Sequence, residues 1–211
     1  MSLTQQKVSD YVTSYNLFTK VEAKAVDYLN KAVLTIVGNI LANLAFVADA
    51  CKCKVVNATH FNAVSSILKY ANQQQAQNGG AIVLPSEYFG VESGMYFDES
   101  VVAPMETNLF SNENLARVEH VLKGGARTSK SLIDQAIVKA AVAKYNSSRQ
   151  RKLKLSSEAY GILVKAVQAN IVHMVEMAAS LNTKSKEKKL TVKVLERACK
   201  KDTQLMLTLN L

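Results

Sequence analysis

The chain has little of what interrupts a helix: 2 prolines and 8 glycines in 211 residues. All-β folds need many tight turns, and turns lean on proline's fixed φ and glycine's tolerance of positive φ. The scarcity of both argues for long helices. Cysteine is scarce too, 3 residues at positions 51, 53 and 199, an odd number for which no disulfide framework is expected. No uncharged apolar stretch reaches the ~18 residues of a membrane span. The opening MSLTQQKVSDYV lacks the apolar core of a signal peptide, so a cytosolic, nuclear or particle-borne location is the expectation.

What is present is enough for a packed core. Apolar residues make up 48% and charged residues 20%, which is not the composition of a disordered chain. The length suits one large domain or two small ones. The net charge of +9 is divided unevenly. Residues 1–105 hold 7 lysines and no arginine against 8 acidic residues, a balance of −1, and residues 106–211 hold 19 basic against 9 acidic residues, a balance of +10. Such asymmetry suggests that one half faces a polyanion while the other mainly folds, pairs or docks.

Two segments, 1–72 and 131–211, repeat one plan of short helix, long helix, short helix. In the first, residues 4–14 read as a short amphipathic helix with Val8 and Val12 inward, and 15–18 as a loop. Thr19-Lys20-Val21-Glu22 has the form of a capping box that would open the long helix. From there to about Cys51, apolar residues recur in steps of three and four at Ala25, Leu29, Val33, Ile36, Ile40, Leu44 and Val47. Leu34, Val37, Leu41, Ala45 and Ala48 form a second row. A rod with two apolar rows must be gripped by other helices along its length. After a loop over 51–56, Asn57 is a candidate N-cap for a helix reaching Ala71 through Phe61, Val64, Ile67 and Leu68.

In the second segment, Ser131-Leu132-Ile133-Asp134 starts a helix to about Tyr145, and a basic loop, 148–154, follows. The long helix is expected over Ser157–Leu181, with Ala159, Ile162, Leu163, Ala166, Val167, Met174, Met177 and Leu181 on one face. A second basic loop, 184–189, precedes Thr191 and a helix through Val194, Leu195 and Ala198. Residues 73–130 break the pattern and read as a surface-packed linker, with aromatic anchors at Tyr88, Phe89, Tyr96 and Phe97 and a short helix near 113–122 ending at Gly124-Gly125.

At the second segment this plan resembles the histone fold residue by residue. Glu176-Met177-Ala178-Ala179, the Lys188-Lys189 loop, Leu195-Glu196-Arg197-Ala198 and Lys201-Asp202 look like the end of the long helix, the second loop and the third helix of the core histone that carries the nucleosome's acidic patch. Two such folds in one chain are similar to the histone doublets of large DNA viruses. The fold so implied is all-α, two histone folds fused and packed as an intramolecular pair. Of the acidic-patch carboxylates only Glu176 and Asp202 remain, with His173, Thr203 and Gln204 at other patch positions, and Lys189 stands where the family has a minor-groove arginine.

In that family paired folds lie head to tail, each first loop beside the partner's second loop. Here that would join Lys52 and Lys54 to Arg149, Arg151, Lys152 and Lys154, and Lys20 to Lys184, Lys186, Lys188 and Lys189. The function implied is non-specific binding and wrapping of double-stranded DNA, with itself or another histone-fold protein as assembly partner, in a virion, host nucleus or viral factory, or otherwise a nucleus. No side-chain set for reading base edges is visible, so backbone contacts and DNA bendability would carry the binding. The alternative is a histone-fold scaffold, such as a virion component or a transcription-factor-like subunit. Contacts between two pairs would use Ala178, Leu181, Leu195 and Cys199.

Little points to catalysis. Cys51-x-Cys53 with His60 lacks a fourth zinc ligand nearby, His120 and His60 have no nucleophile or acid partner, and His173 fits a hydrogen-bonded interface residue. The glycine pairs at 79–80 and 124–125 lack the setting of a phosphate loop. No enzyme, cofactor, metal, membrane or small-molecule substrate is therefore expected.

Overall fold

The computed structural model of the chain describes residues 2–64, 131–182 and 188–202, together with Leu205 and Leu209. The linker readings over 73–130, the end of the helix expected to reach Ala71, Lys184, Lys186, Thr203 and Gln204 lie outside the described residues.

Most described residues are helical, and hydroxyl, amide or carboxylate caps open nearly every helix. Thr4 caps α1 (Gln5–Ser14) by accepting from the Lys7 amide. Asn57 Oδ1 accepts from the Thr59 amide at the head of α3, helical over 58–64. Asp134 accepts from the Ile137 amide at the head of α4 (Gln135–Ser147), Ser156 from Ala159 at α5 (Ser157–Leu181), and Thr191 from Val194 at α6 (Val192–Lys201). Each cap satisfies one of the amide groups that a helix start leaves without an intrahelical partner.

The long helix α2 (Ala23–Ala50) is the exception. Its N-cap is Glu22, whose side chain makes no capping bond, so the capping box expected at 19–22 does not form. Thr19 is drawn elsewhere: its amide and hydroxyl both donate to the Lys188 carbonyl, at 2.7 and 3.0 Å. The cause is strand pairing, which the helical reading of the chain did not include. β1 (Lys20–Val21) runs parallel to β4 (Lys189–Leu190), and β2 (Val55–Val56) runs parallel to β3 (Lys154–Leu155). Each two-residue bridge joins a loop of the first half to a loop of the second.

At 28 residues, α2 is about 42 Å long. Every residue of its first apolar row, from Ala25 to Val47, is buried, as are Val37, Leu41, Ala45 and Ala48 of the second row. α2 packs on α4, α5 and α6, while α6 folds back on α5. Ile36, Ile40 and Leu41 of the first half and Leu163, Ile171 and Met174 of the second therefore belong to one continuous core. Both long helices are long and apolar enough by composition to cross a membrane, although neither holds an uncharged run of the length sought in the sequence. Here their apolar rows are spent against each other.

The two halves anchor their first helices alike. Asn30 on α2 accepts from the Leu3 amide at 2.8 Å and donates to the Leu3 carbonyl at 3.1 Å. Gln168 on α5 accepts from the Ile133 amide at 2.6 Å. In each case the clamped residue directly precedes the cap of the short helix, and its side chain is buried.

The outer contact surface expected from Ala178, Leu195 and Cys199 is not one. All three are fully buried where α6 lies on α5, and Leu181 is half-buried. Cys199 instead receives a hydrogen bond from the Tyr28 hydroxyl of α2 at 3.7 Å, and burial pushes its thiol pKa up.

Candidate nucleic-acid interface

Parallel pairing of loop strands has a geometric consequence. Because β1 and β4 run side by side in one direction, the helices that follow them, α2 and α6, start next to each other. The same holds for α3 and α5 after β2 and β3. Two helix N-termini thus converge at each end of the body, and such termini favour anions through their partial positive charge and free amides.

At the first end, Lys20 and Lys189 are register partners. Lys20 and Lys188 are exposed and Lys189 is half-buried, its ammonium 3.8 Å from the Glu22 carboxylate. Of the cations expected here, Lys20, Lys188 and Lys189 are brought together.

At the second end, Val55 pairs with Lys154, and Lys52, Lys54, Arg151, Lys152 and Lys154 are all exposed. Lys52 closes α2. Its φ is +52°, the Cys53 amide donates to the Ala48 carbonyl at 2.8 Å, and the Lys52 amide donates to that of Asp49 at 3.1 Å. That is a Schellman stop with lysine in the left-handed position normally given to glycine. α1 ends the same way with Asn16, at φ +54°, a residue type that tolerates it better.

The two arginines are held in place. Arg149 Nη1 donates to the Tyr145 hydroxyl at 2.7 Å, and the guanidinium lies 5.3 Å from the Tyr145 ring centre. Arg151 Nη1 is 2.7 Å from Asp49 Oδ1, and its Nη2 donates to the Cys53 carbonyl at 3.4 Å. Asp49 Oδ2 is also 3.9 Å from Arg149. Sequence reasoning missed Asp49 and Tyr145, and read Glu22 only as part of a capping box. Tyr145 stands four residues before Arg149 at a helix end, a spacing that brings side chains together. The two carboxylates carried no local signal, since their partners lie far along the chain.

Among the described residues no group of three or more His, Cys, Asp or Glu side chains is placed to hold a metal ion. Cys51 and Cys53 are free thiols, and burial raises the pKa of Cys51. His60 is buried with Nδ1 2.7 Å from Asn57 Oδ1. His173 Nε2 sits 2.7 Å from Asp202 Oδ2, and Asp202 Oδ1 accepts from the Leu205 amide. Asp202 is therefore turned inward, while Glu176 remains exposed on α5. His120 lies outside the described residues.

No protein-family model and no curated protein matches this sequence.

Proposed function

We propose that this chain is a pair of histone folds fused in one polypeptide, and that it binds double-stranded DNA without sequence preference and wraps or compacts it in a nucleosome-like particle, alone or with a second histone-fold chain. The observation that carries this reading is the double bridge, Lys20 against Lys189 at one end and Val55 against Lys154 at the other. It gives one packed body two cationic ends about 40 Å apart along α2, each with two helix N-termini. A polyanion that touches both ends spans the length of α2. The action is charge neutralisation with imposed curvature, and it involves no turnover. The resemblance of residues 176–202 to a core histone, and of the whole plan to viral histone doublets, supports a virion, a viral factory or a nucleus as the setting.

If about 6–8 phosphates are neutralised, affinity falls by orders of magnitude over a modest rise in salt. Nuclease digestion of the complex is expected to leave a discrete protected length. Changing Arg149, Arg151, Lys188 and Lys189 to Glu is expected to abolish duplex binding, and circular dichroism checks that the helices remain, since the new carboxylates at 149, 151 and 189 face Asp49 and Glu22. A flat salt titration, or digestion without a protected length, removes the reading.

A protein–protein scaffold is the second reading. One observation favours it: Asp49 and Glu22 already neutralise part of the charge at both ends. Under it, the fourfold charge reversal leaves assembly intact.

A further inference from the structure

The two carboxylates that meet the basic ends come from one helix. Glu22 is the N-cap of α2 and Asp49 lies one residue before its last, so α2 holds an acid at each end of the body. Their partners, Lys189, Arg149 and Arg151, all belong to the second half. The half with a balance of −1 thus supplies the counter-charges for the loops of the half with +10.

Such a pair of acids has two physical roles open to it. It can position the cations for a ligand, or it can compete with the ligand for them. The anchoring of the arginines decides between these. Arg149 is fixed by the Tyr145 hydroxyl and ring, while Asp49 reaches it only at 3.9 Å. Arg151 donates to the Cys53 carbonyl at 3.4 Å as well as meeting Asp49 at 2.7 Å. Lys189 is held in β4 through its backbone pairing with Lys20, whatever Glu22 does. Each loop thus has an anchor besides its carboxylate, so competition is the role left to test. The pairs are also weak, because the Asp49 and Arg151 side chains are 49% and 60% exposed and those of Glu22 and Lys189 are 38% and 40% exposed. A phosphate can take their place. Once it does, each carboxylate remains a few ångströms from the phosphate and repels it.

We propose that Asp49 and Glu22 are a built-in acidic brake on DNA binding, lowering the affinity of both basic ends so that the duplex is released at lower salt than the cations alone would allow. The proposal rests on the DNA-binding reading above.

The test is duplex affinity, measured by fluorescence anisotropy on a mixed-sequence double-stranded DNA across a salt series with the full chain. Asp49→Asn/Glu22→Gln is expected to bind about fivefold tighter than the wild type, the scale of two exposed ion pairs. The control Asp10→Asn/Glu196→Gln makes the same change in net charge at exposed positions on α1 and α6, and is expected to gain less than about twofold because, among the described residues, neither carboxylate is ion-paired with a cation of the basic loops. Asp49→Glu, which keeps the charge, is expected to bind as the wild type does. Equal gains in the two double variants overturn the brake, and so does weaker binding by Asp49→Asn/Glu22→Gln, which would make the acids positioning residues. Absence of duplex binding by the wild type removes the DNA reading itself, an outcome separate from the contrast between variants.

Discussion

Lys7 Nζ on α1 lies 2.7 Å from Asp134 Oδ2, the N-cap of α4. One ion pair thereby joins the first helix of the first half to the first helix of the second. The Lys7 ammonium, helped by the Ile137 amide, holds the Asp134 carboxyl below its ordinary pKa.

A group whose pKa is lower in the fold than in the unfolded chain contributes stability above its unfolded value, near 3.9 for aspartate. That contribution is lost as pH falls through the folded value. Asp134→Asn keeps a good cap but removes the charge, so it is expected to flatten the stability profile below about pH 4. At pH 7 its cost stays at a few tenths of a kcal/mol, because the pair is half-exposed. Asp134→Ala, which also removes the cap, is expected to cost about 1 kcal/mol. Urea unfolding at a series of pH values checks both.

His60 titrates in a different window. Burial lowers its pKa in the fold, so the unfolded chain takes up a proton before the native one does. Stability is expected to be fully present above about pH 6.5 and to fall as pH drops through the folded value. His60→Gln is expected to remove that part of the slope between pH 7 and pH 5. An unchanged slope would count against a neutral His60 in the core.

Lys52 occupies a glycine position at φ +52°. Lys52→Gly is expected to raise stability by about 1 kcal/mol by relieving the left-handed strain. Under the proposed function it also weakens duplex binding, because a cation leaves the second end. Thermal unfolding and anisotropy on the same variant measure the two opposite effects.

The common core predicts common unfolding. Leu41 of α2 and Leu163 of α5 are both fully buried in it. Leu41→Ala or Leu163→Ala is expected to cost roughly 2–5 kcal/mol. Either change is expected to shift a single transition reported equally by Tyr28 in one half and Tyr160 in the other. Two separate transitions would mean that the halves fold independently.

Much of the helical layout was legible in the chain. The α5 limits, the cap at Asn57 and the buried rows of α2 follow from signals a few residues apart, and tertiary packing did not override them. The capping box at 19–22 failed for the opposite reason. Its local signal competed with a strand partner at Lys188, far along the chain, and the inter-strand bonds won. The misassigned surface of Ala178, Leu195 and Cys199 has the same origin, since periodicity identifies an apolar face but not the element that covers it.

By itself, then, the sequence determined the limits of α5 and the end of α2, which rows are apolar and which loops are basic, because helix propensity and periodicity act over one or two turns. Only the tertiary structure decided that Lys20 stands against Lys189, that Val55 stands against Lys154 and that Asp49 meets Arg151. Those pairings depend on how two amphipathic rods cross when each hides its apolar rows on the other, and that packing is a property of the whole chain.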